Sequence, residues 1–256
     1  MLSEIDRDAG SDGVLLRAAR VLFWLPVVGA LVVAATLVSR PLFYFLIQED
    51  GPIEWSQFVG FLGASIGFAL AAWRLLARGD QLGAVLLAIG AVGIFGIAGE
   101  EISWGQRILG LETPEALTAI NHQHEINIHN ITAFPVQRIG NWLQLVLGLA
   151  GMVLPWLTRT RRPRVSVPVL RLLSPPLFLT SCFGMLFAYR AVRFLWASSV
   201  GVDVVVKFGE WPELCFAVAL FAFSVLLVWR LRDASPGARR SMPVPARRSV
   251  RGGAGR

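Results

Sequence analysis

Four short stretches hold most of the groups that could do chemistry. GEEISWGQR (99–107) closes an apolar run with two adjacent carboxylates, Glu100 and Glu101, and QEDGPIEW (48–55) opens another with Glu54. NHQHEINIHN (121–130) gathers every histidine of the chain, His122, His124 and His129, around Glu125 and three asparagines. AYRAVR (188–193) spaces Arg190 and Arg193 one helical turn apart, so that they share a face. Carboxylates of this kind serve as general acids and bases. Imidazole with carboxylate is the usual ligand set for zinc and related ions. A guanidinium pair suits an anionic headgroup such as a phosphate.

Glu100 and Glu101 are the least expected of these groups. They stand at a helix C-terminus, where the macrodipole disfavours negative charge, and they need a cation, an arginine or a shared proton. Arg107 is the nearest compensating charge in the sequence. Glu54, by contrast, opens a helix, where an acid is favourable. In NHQHEINIHN a helix would align His122, Glu125 and His129. An extended chain would align Asn121, Gln123, Glu125, Asn127 and His129. Both readings let Glu125 and His129 share a surface. The expected site is one divalent metal such as zinc on His129, Glu101 and Glu125, with Glu54 near it and one position left for water. Glu54, Glu100 and Glu101 are the candidate catalytic carboxylates. Asn127 and Asn130 would orient ligands or substrate, and Arg190 and Arg193 would hold the headgroup. Against this, the spacing matches no strong zinc pattern, and loop histidines are commonly solvated.

The elements that must position these residues are membrane helices. The 256 residues have a mean hydropathy of +0.59, nine tryptophans, sixteen phenylalanines and only 16% charged residues, a profile that excludes an ordinary soluble domain. With about 20 apolar residues needed per span, the sequence predicts six, at Val14–Ser39, Ile53–Ala77, Leu82–Ile102, Val136–Leu157, Pro175–Ala197 and Trp211–Leu231. The fold expected is an all-α integral membrane bundle over 1–232, followed by a disordered basic tail over 233–256. Placing both termini in the cytoplasm puts eighteen of the 24 basic residues inside, as the positive-inside rule requires. The candidate acids and all three histidines then fall outside, with a long outer loop over 103–135. The net charge of +7 is therefore read as topology and lipid electrostatics, not nucleic-acid binding.

Small residues suggest how the acids meet. Ser56, Gly60, Gly63 and Gly67 stripe the second span, and Gly90, Gly93, Gly96 and Gly99 stripe the third. Such stripes let helices approach closely in lipid. Trp55, Trp104, Trp196 and Trp211 share a level, as an interfacial aromatic belt would. QEDGPIEW before the second span and KFGEWPE before the sixth form a weak internal echo. Cys182 and Cys215 lie at different expected depths, so no disulfide is expected.

The run GEEISWGQRI, then TPE, then N-x-Q-x-E-x-N-x-H-N resembles a pattern in uncharacterised bacterial multipass membrane proteins. The resemblance covers roughly residues 48–131 and implies the bacterial cytoplasmic membrane. It brings no activity. It keeps His129 in the pattern and leaves His122 and His124 incidental. The arrangement is distantly similar in style to membrane hydrolases of the alkaline ceramidase and adiponectin receptor type. Those set zinc between histidines of several spans, and this chain has no histidine after His129, so no residue carries over.

These readings converge on a membrane-embedded, metal-dependent enzyme acting at the extracytoplasmic interface on a lipid or lipid-linked substrate. The competitors are an ion-coupled transporter, with the acids as a cation or proton site, and a non-catalytic membrane partner.

Overall fold

The computed structural model describes residues 1–48, 51–121, 125–128, 131, 136–160, 167–195 and 203–232. These form helices joined by turns and loops, with no strand among the described residues and one isolated bridge between Asn121 and Ile131. In chain order the helices are α1 (Leu2–Ser11), α2 (Leu16–Ala35), α3 (Arg40–Ile47), α4 (Pro52–Ala77), α5 (Gln81–Glu101), α6 (Gln106–Leu109), α7 (Glu115–Thr118), α8 (Val136–Arg159), α9 (Pro168–Leu172), α10 (Thr180–Leu195), α11 (Asp203–Lys207) and α12 (Glu210–Arg230). Among the described residues six stretches are long and apolar enough to cross a membrane. They contain α2, α4, α5, α8, α10 and α12. Each coincides with an expected span. The expected basic tail lies outside the described residues.

Helix α4 is the hub. Pro52 starts it with a pre-set φ, and Glu54 occupies its first turn. It ends at Arg78–Gly79, where Gly79 takes φ +80°, and Asp80 then caps α5 by accepting the Gly83 amide at 2.9 Å. This tight turn lays α5 antiparallel on α4, and the Ser65 hydroxyl donates to the Ala91 carbonyl across the seam at 2.8 Å.

On its other side α4 runs parallel to α12, in register. Gly60 faces Ala217, Gly63 faces Phe221 and Gly67 faces Ser224. Phe61 and Phe68 meet Phe216 and Phe223 edge to face, with centroids 6.0 and 5.8 Å apart. Arg74 and Arg78 donate to the Val228 and Leu231 carbonyls, satisfying the end of α12.

The two glycine stripes therefore do not pack on each other. The α4 stripe serves α12, because only glycine admits the Phe221 and Ser224 side chains there. Gly90, Gly93 and Gly96 face open space, and Gly99 lies under the Trp104 ring. What joins α5 to α4 is a buried face built from Leu87, Ala91, Ile94 and Ala98.

Helices α8 and α10 form a second antiparallel pair, with Gly148 and Gly151 against Phe187 and Phe183. Phe183 also meets Phe216 on α12, 5.8 Å between centroids, which joins the two pairs. Pro26 inside α2 lacks an N–H and so leaves the Leu22 carbonyl without its helical donor. The Cys182 thiol lies 3.7 Å from that carbonyl. Trp211 donates its indole N–H to the Pro26 carbonyl at 3.0 Å and is buried. It is thus a core residue, not a member of an aromatic belt. Both cysteines are free and buried, and the contact between their neighbours Phe183 and Phe216 puts them at one level, not at the different depths expected.

The sequence reading gave α1 no structure. It is a helix that buries Ile5 and Ala9 completely. Asp8 accepts the Leu177 amide at 2.6 Å and pairs with Arg159 at 3.4 Å. Asp12 pairs with Arg230, and with Arg159 at 3.7 Å. The residues Asp8, Asp12, Arg74, Arg78, Arg159 and Arg230 mark one end of the bundle as its basic end.

Candidate functional site

The opposite end carries the acids. Glu54 in the first turn of α4, Glu101 at the close of α5 and Glu210 with Glu213 in the first turn of α12 come to one level, because α4 and α12 start there and α5 stops there. The charges acting on Glu101 are, strongest first, Glu213, Glu210, Glu54 and Glu100. The Glu101 carboxyl is half-buried and forms no hydrogen bond or ion pair among the described residues.

Gln57, one turn below Glu54, is completely buried beside this group. Its amide nitrogen donates to the Glu210 backbone carbonyl at 2.7 Å and to the Glu210 carboxylate at 3.1 Å. Its carbonyl oxygen, Oε1, has no hydrogen-bond partner among the described residues. Arg190 on α10 donates to Gln144 Oε1 on α8 at 2.5 Å and to the Glu213 carboxylate, so it compensates one of the acids. Its guanidinium also lies 5.3 Å from the Tyr189 ring centroid. The Tyr189 hydroxyl donates to the Val206 carbonyl at 3.0 Å, tying α11 to α10. Arg193 is half-buried one turn further along α10.

The second feature is a clasp between GEEISWGQR and the loop after it. After α5 the chain reverses through Ser103, Trp104 and Gly105, at φ +46°, +55° and +77°. Two of these are not glycine, a conformation that persists only when its surroundings hold it. The holding bonds are explicit. Trp104 donates its indole N–H to Glu100 at 2.8 Å, and the Ile128 amide donates to the other Glu100 oxygen at 2.7 Å. Ser103 donates to Glu125 at 2.5 Å, and the Asn127 amide donates to Glu125 at 2.9 Å and to Ser103 at 3.1 Å. Asn121 donates to the Asn127 side chain at 2.8 Å and to its carbonyl at 2.9 Å. Gln106 accepts the Ile126 amide and donates to Thr113, both at 2.6 Å.

Asn121, Glu125 and Asn127 therefore turn to one buried side, as the extended reading of the loop has it, and residues 125–128 form no helix. Glu125 and Asn127 act in this clasp, and Glu100 anchors it. Thr113 likewise meets Gln106, and α7 begins at Glu115 after Pro114.

Of the candidate residues, Glu54 and Glu101 meet at the acidic end, with Arg190 alongside through Glu213. Glu125 and Asn127 lie in the clasp. His129 and Asn130, together with His122 and His124, lie outside the described residues. Among the described residues no group of three or more His, Cys, Asp or Glu stands close enough to hold a metal ion. The sequence reading missed Gln57, Glu210 and Gln144 as members of the site. The signal for Gln57 was present: it is an amide in an otherwise apolar helix, three residues after Glu54. Gln144 and Glu210 needed the register of α10 and α12 before they could be placed. No family model matches this chain, and neither a curated protein nor a solved structure gives a match.

Proposed function

We propose that this chain is a membrane enzyme working at the extracytoplasmic interface on a lipid or lipid-linked substrate, with Glu101 as its acid–base group. The observation that carries the reading is the position of Glu101. Its carboxyl is half-buried at a helix end among the charges of Glu54, Glu100, Glu210 and Glu213, and no hydrogen bond from the described residues occupies it. A carboxylate held this way is able to exchange a proton with a bound substrate. The basic excess at the other end supports an outward-facing acidic end by the positive-inside rule.

In this reading Glu54 is the second carboxylate, Arg193 meets an anionic headgroup, and Arg190, already fixed by Gln144 and Glu213, shapes the wall beside it. The clasp sets where α5 stops, and hence where Glu101 stands. A divalent metal is the cofactor the reading allows, with Glu101 and His129 as protein ligands. An ion-coupled carrier fits less well. Between the acidic and basic ends the α4–α12 seam is closed by Gly60–Ala217, Gly63–Phe221 and Gly67–Ser224, and the buried Ser65 and Ser224 hydroxyls are spent on backbone carbonyls. Carriers place polar groups near the midplane.

The test is turnover in proteoliposomes of bacterial lipid extract, read by mass spectrometry of headgroup-bearing products, beside elemental analysis of the purified protein. The expected result is product formation that Glu101→Gln reduces by roughly 100-fold or more, as loss of an acid–base group does. Wild-type protein that converts no lipid class, or a Glu101→Gln variant as active as wild type, overturns the reading.

A further inference from the structure

We infer that a trough between α2 and α12 holds one acyl chain of an anionic phospholipid, whose phosphate sits at the basic end of the bundle beside Arg232. This site lies at the opposite end from Glu101 and is independent of the enzyme reading.

The trough is a gap in the packing of two helices. Near the acidic end Trp211 fastens α12 to α2, through the Pro26 carbonyl and against Gly29. Beyond that point a cavity of about 330 Å³ opens between them, lined by Leu22 on α2, Val218 and Ala222 on α12, and the completely buried Phe178. A second cavity, of about 310 Å³, runs on to the end of α12, where Asp12, Gly13, Trp229 and Arg232 line it. Val14, Val225 and Leu226 line both, so the two are one trough. At its mouth the Trp229 ring lies on Gly13, where a Cβ would stand 2.4 Å from it. Phe221, Val225 and Trp229 are exposed along one stripe of α12, which leaves the trough open sideways.

Its length and polarity match one lipid leaflet. From Val218 to Arg232 α12 rises about 21 Å, at about 1.5 Å per residue. Half a bilayer with its headgroup region is about 20–22 Å thick. The deep half of the trough is lined by apolar side chains alone, and the charged groups of the lining, Asp12 and Arg232, stand at the mouth. One alkyl chain fits a space of this volume, whereas a helix about 10 Å across does not.

Charge then selects the lipid. Four guanidiniums surround the last turn of α12. Arg74 and Arg78 donate to the Val228 and Leu231 carbonyls, Arg230 is bound to Asp12, and Arg232 lines the mouth. The Asp12 carboxylate is compensated twice, by Arg230 Nε at 2.9 Å and by Arg159 at 3.7 Å. Arg232 is exposed and forms no ion pair or side-chain hydrogen bond among the described residues. A guanidinium with its fork open suits a phosphate. The positive-inside rule turns this end to the cytoplasmic leaflet, where basic pockets between helices take anionic headgroups.

The experiment is native mass spectrometry of the full chain, delipidated in detergent and titrated with phosphatidylglycerol or with phosphatidylcholine of the same acyl chains. Wild type is expected to retain one phosphatidylglycerol per chain, with at least about fivefold preference over phosphatidylcholine, the effect of one arginine at an anionic surface. Arg232→Gln is expected to remove that preference. Val225→Trp fills the trough from an exposed position and is expected to abolish retention of either lipid. Arg171→Gln removes an exposed arginine of α9 that is outside the lining, and is expected to bind as wild type does. Thermal unfolding shows which variants are folded, and Arg232→Gln, a surface change, tests the phosphate contact even where Val225→Trp unfolds. Equal affinity of wild type for the two lipids overturns the inference, as does a folded Val225→Trp chain that binds phosphatidylglycerol like wild type. Equal losses in Arg232→Gln and Arg171→Gln show general charge attraction and overturn it too. So does a wild-type dimer that Val225→Trp dissolves, since this face then meets a second copy.

Discussion

The hydroxyl of Ser103 donates to the carboxylate of Glu125 at 2.5 Å, and the Asn127 amide reaches both of them. Three buried polar side chains thus satisfy one another across a loop, and the left-handed turn at 103–105 survives inside that arrangement. Groups so joined should be energetically coupled. Ser103→Ala and Asn127→Ala are each expected to destabilise the chain by about 1–3 kcal/mol, the cost of stranding buried partners. The double variant should cost about 1 kcal/mol less than the sum. Thermal or denaturant unfolding in detergent checks this, and strictly additive losses would show that the clasp does not act as a unit.

The glycines of α4 and α5 should respond in opposite ways. A Cβ on Gly67 would stand 2.3 Å from the Ser224 hydroxyl oxygen and 2.7 Å from its Cβ. Gly67→Ala is therefore expected to cost about 1–3 kcal/mol by forcing α4 and α12 apart. A Cβ on Gly93 meets nothing within 4 Å. Gly93→Ala is expected to be neutral or to stabilise by up to about 1 kcal/mol, through helix propensity. Melting temperatures of the two variants, measured side by side, decide it.

Helix α1 carries two acids whose titrations oppose each other. Burial pushes the Asp8 carboxyl above its ordinary range, against the Leu177 amide and Arg159, which pull it down. The docked helix therefore holds the Asp8 proton more tightly than a free chain does. Its contribution is fully present below the ordinary carboxylate range and is lost as pH rises through the raised value. Asp6 is held below that range by its hydrogen bonds to Arg20, at 2.7 and 3.1 Å. Its contribution is present above the ordinary range and is lost as pH falls. Hydrogen exchange of residues 2–11 against pH should show protection shifting in these two directions. Asp8→Asn should abolish the first and leave the second, which salt should weaken.

Arg190 holds α8 and α12 together through Gln144 and Glu213. Arg190→Lys keeps the charge but loses the planar fork that serves both acceptors. It is expected to lower stability by about 1–3 kcal/mol, with Gln144→Leu losing part of the same energy. A double-variant cycle by thermal unfolding measures the shared portion. No coupling between the two positions would separate Arg190 from that role.

Several features were legible because they depend on local rules. Six apolar runs of spanning length and Glu54 opening a helix need only neighbours in sequence. The extended alternative for 121–129 also follows from alternation alone, and the structure places Asn121, Glu125 and Asn127 on one side as that alternation requires. The echo between QEDGPIEW and KFGEWPE has a spatial counterpart, since α4 and α12 lie parallel and in register with their acids at one end.

Other features were decided only by the tertiary structure. Hydropathy names the helices but not their neighbours, because lipid-facing and packed faces are equally apolar. Hence the α5 glycines read like those of α4, although only the α4 stripe has Phe221 and Ser224 to receive. Trp211 read as an interfacial residue until the carbonyl of Pro26 gave its indole a buried acceptor. Glu125 read as a metal ligand and Asn127 as a residue orienting ligands or substrate, and nothing short of the fold could bring Ser103 to them. The sequence by itself determined that this is a bundle of membrane-length helices with acids gathered at one end and arginines at the other. The packing of α4 between α5 and α12 decided which acids meet, and it set the buried Gln57 amide against Glu210.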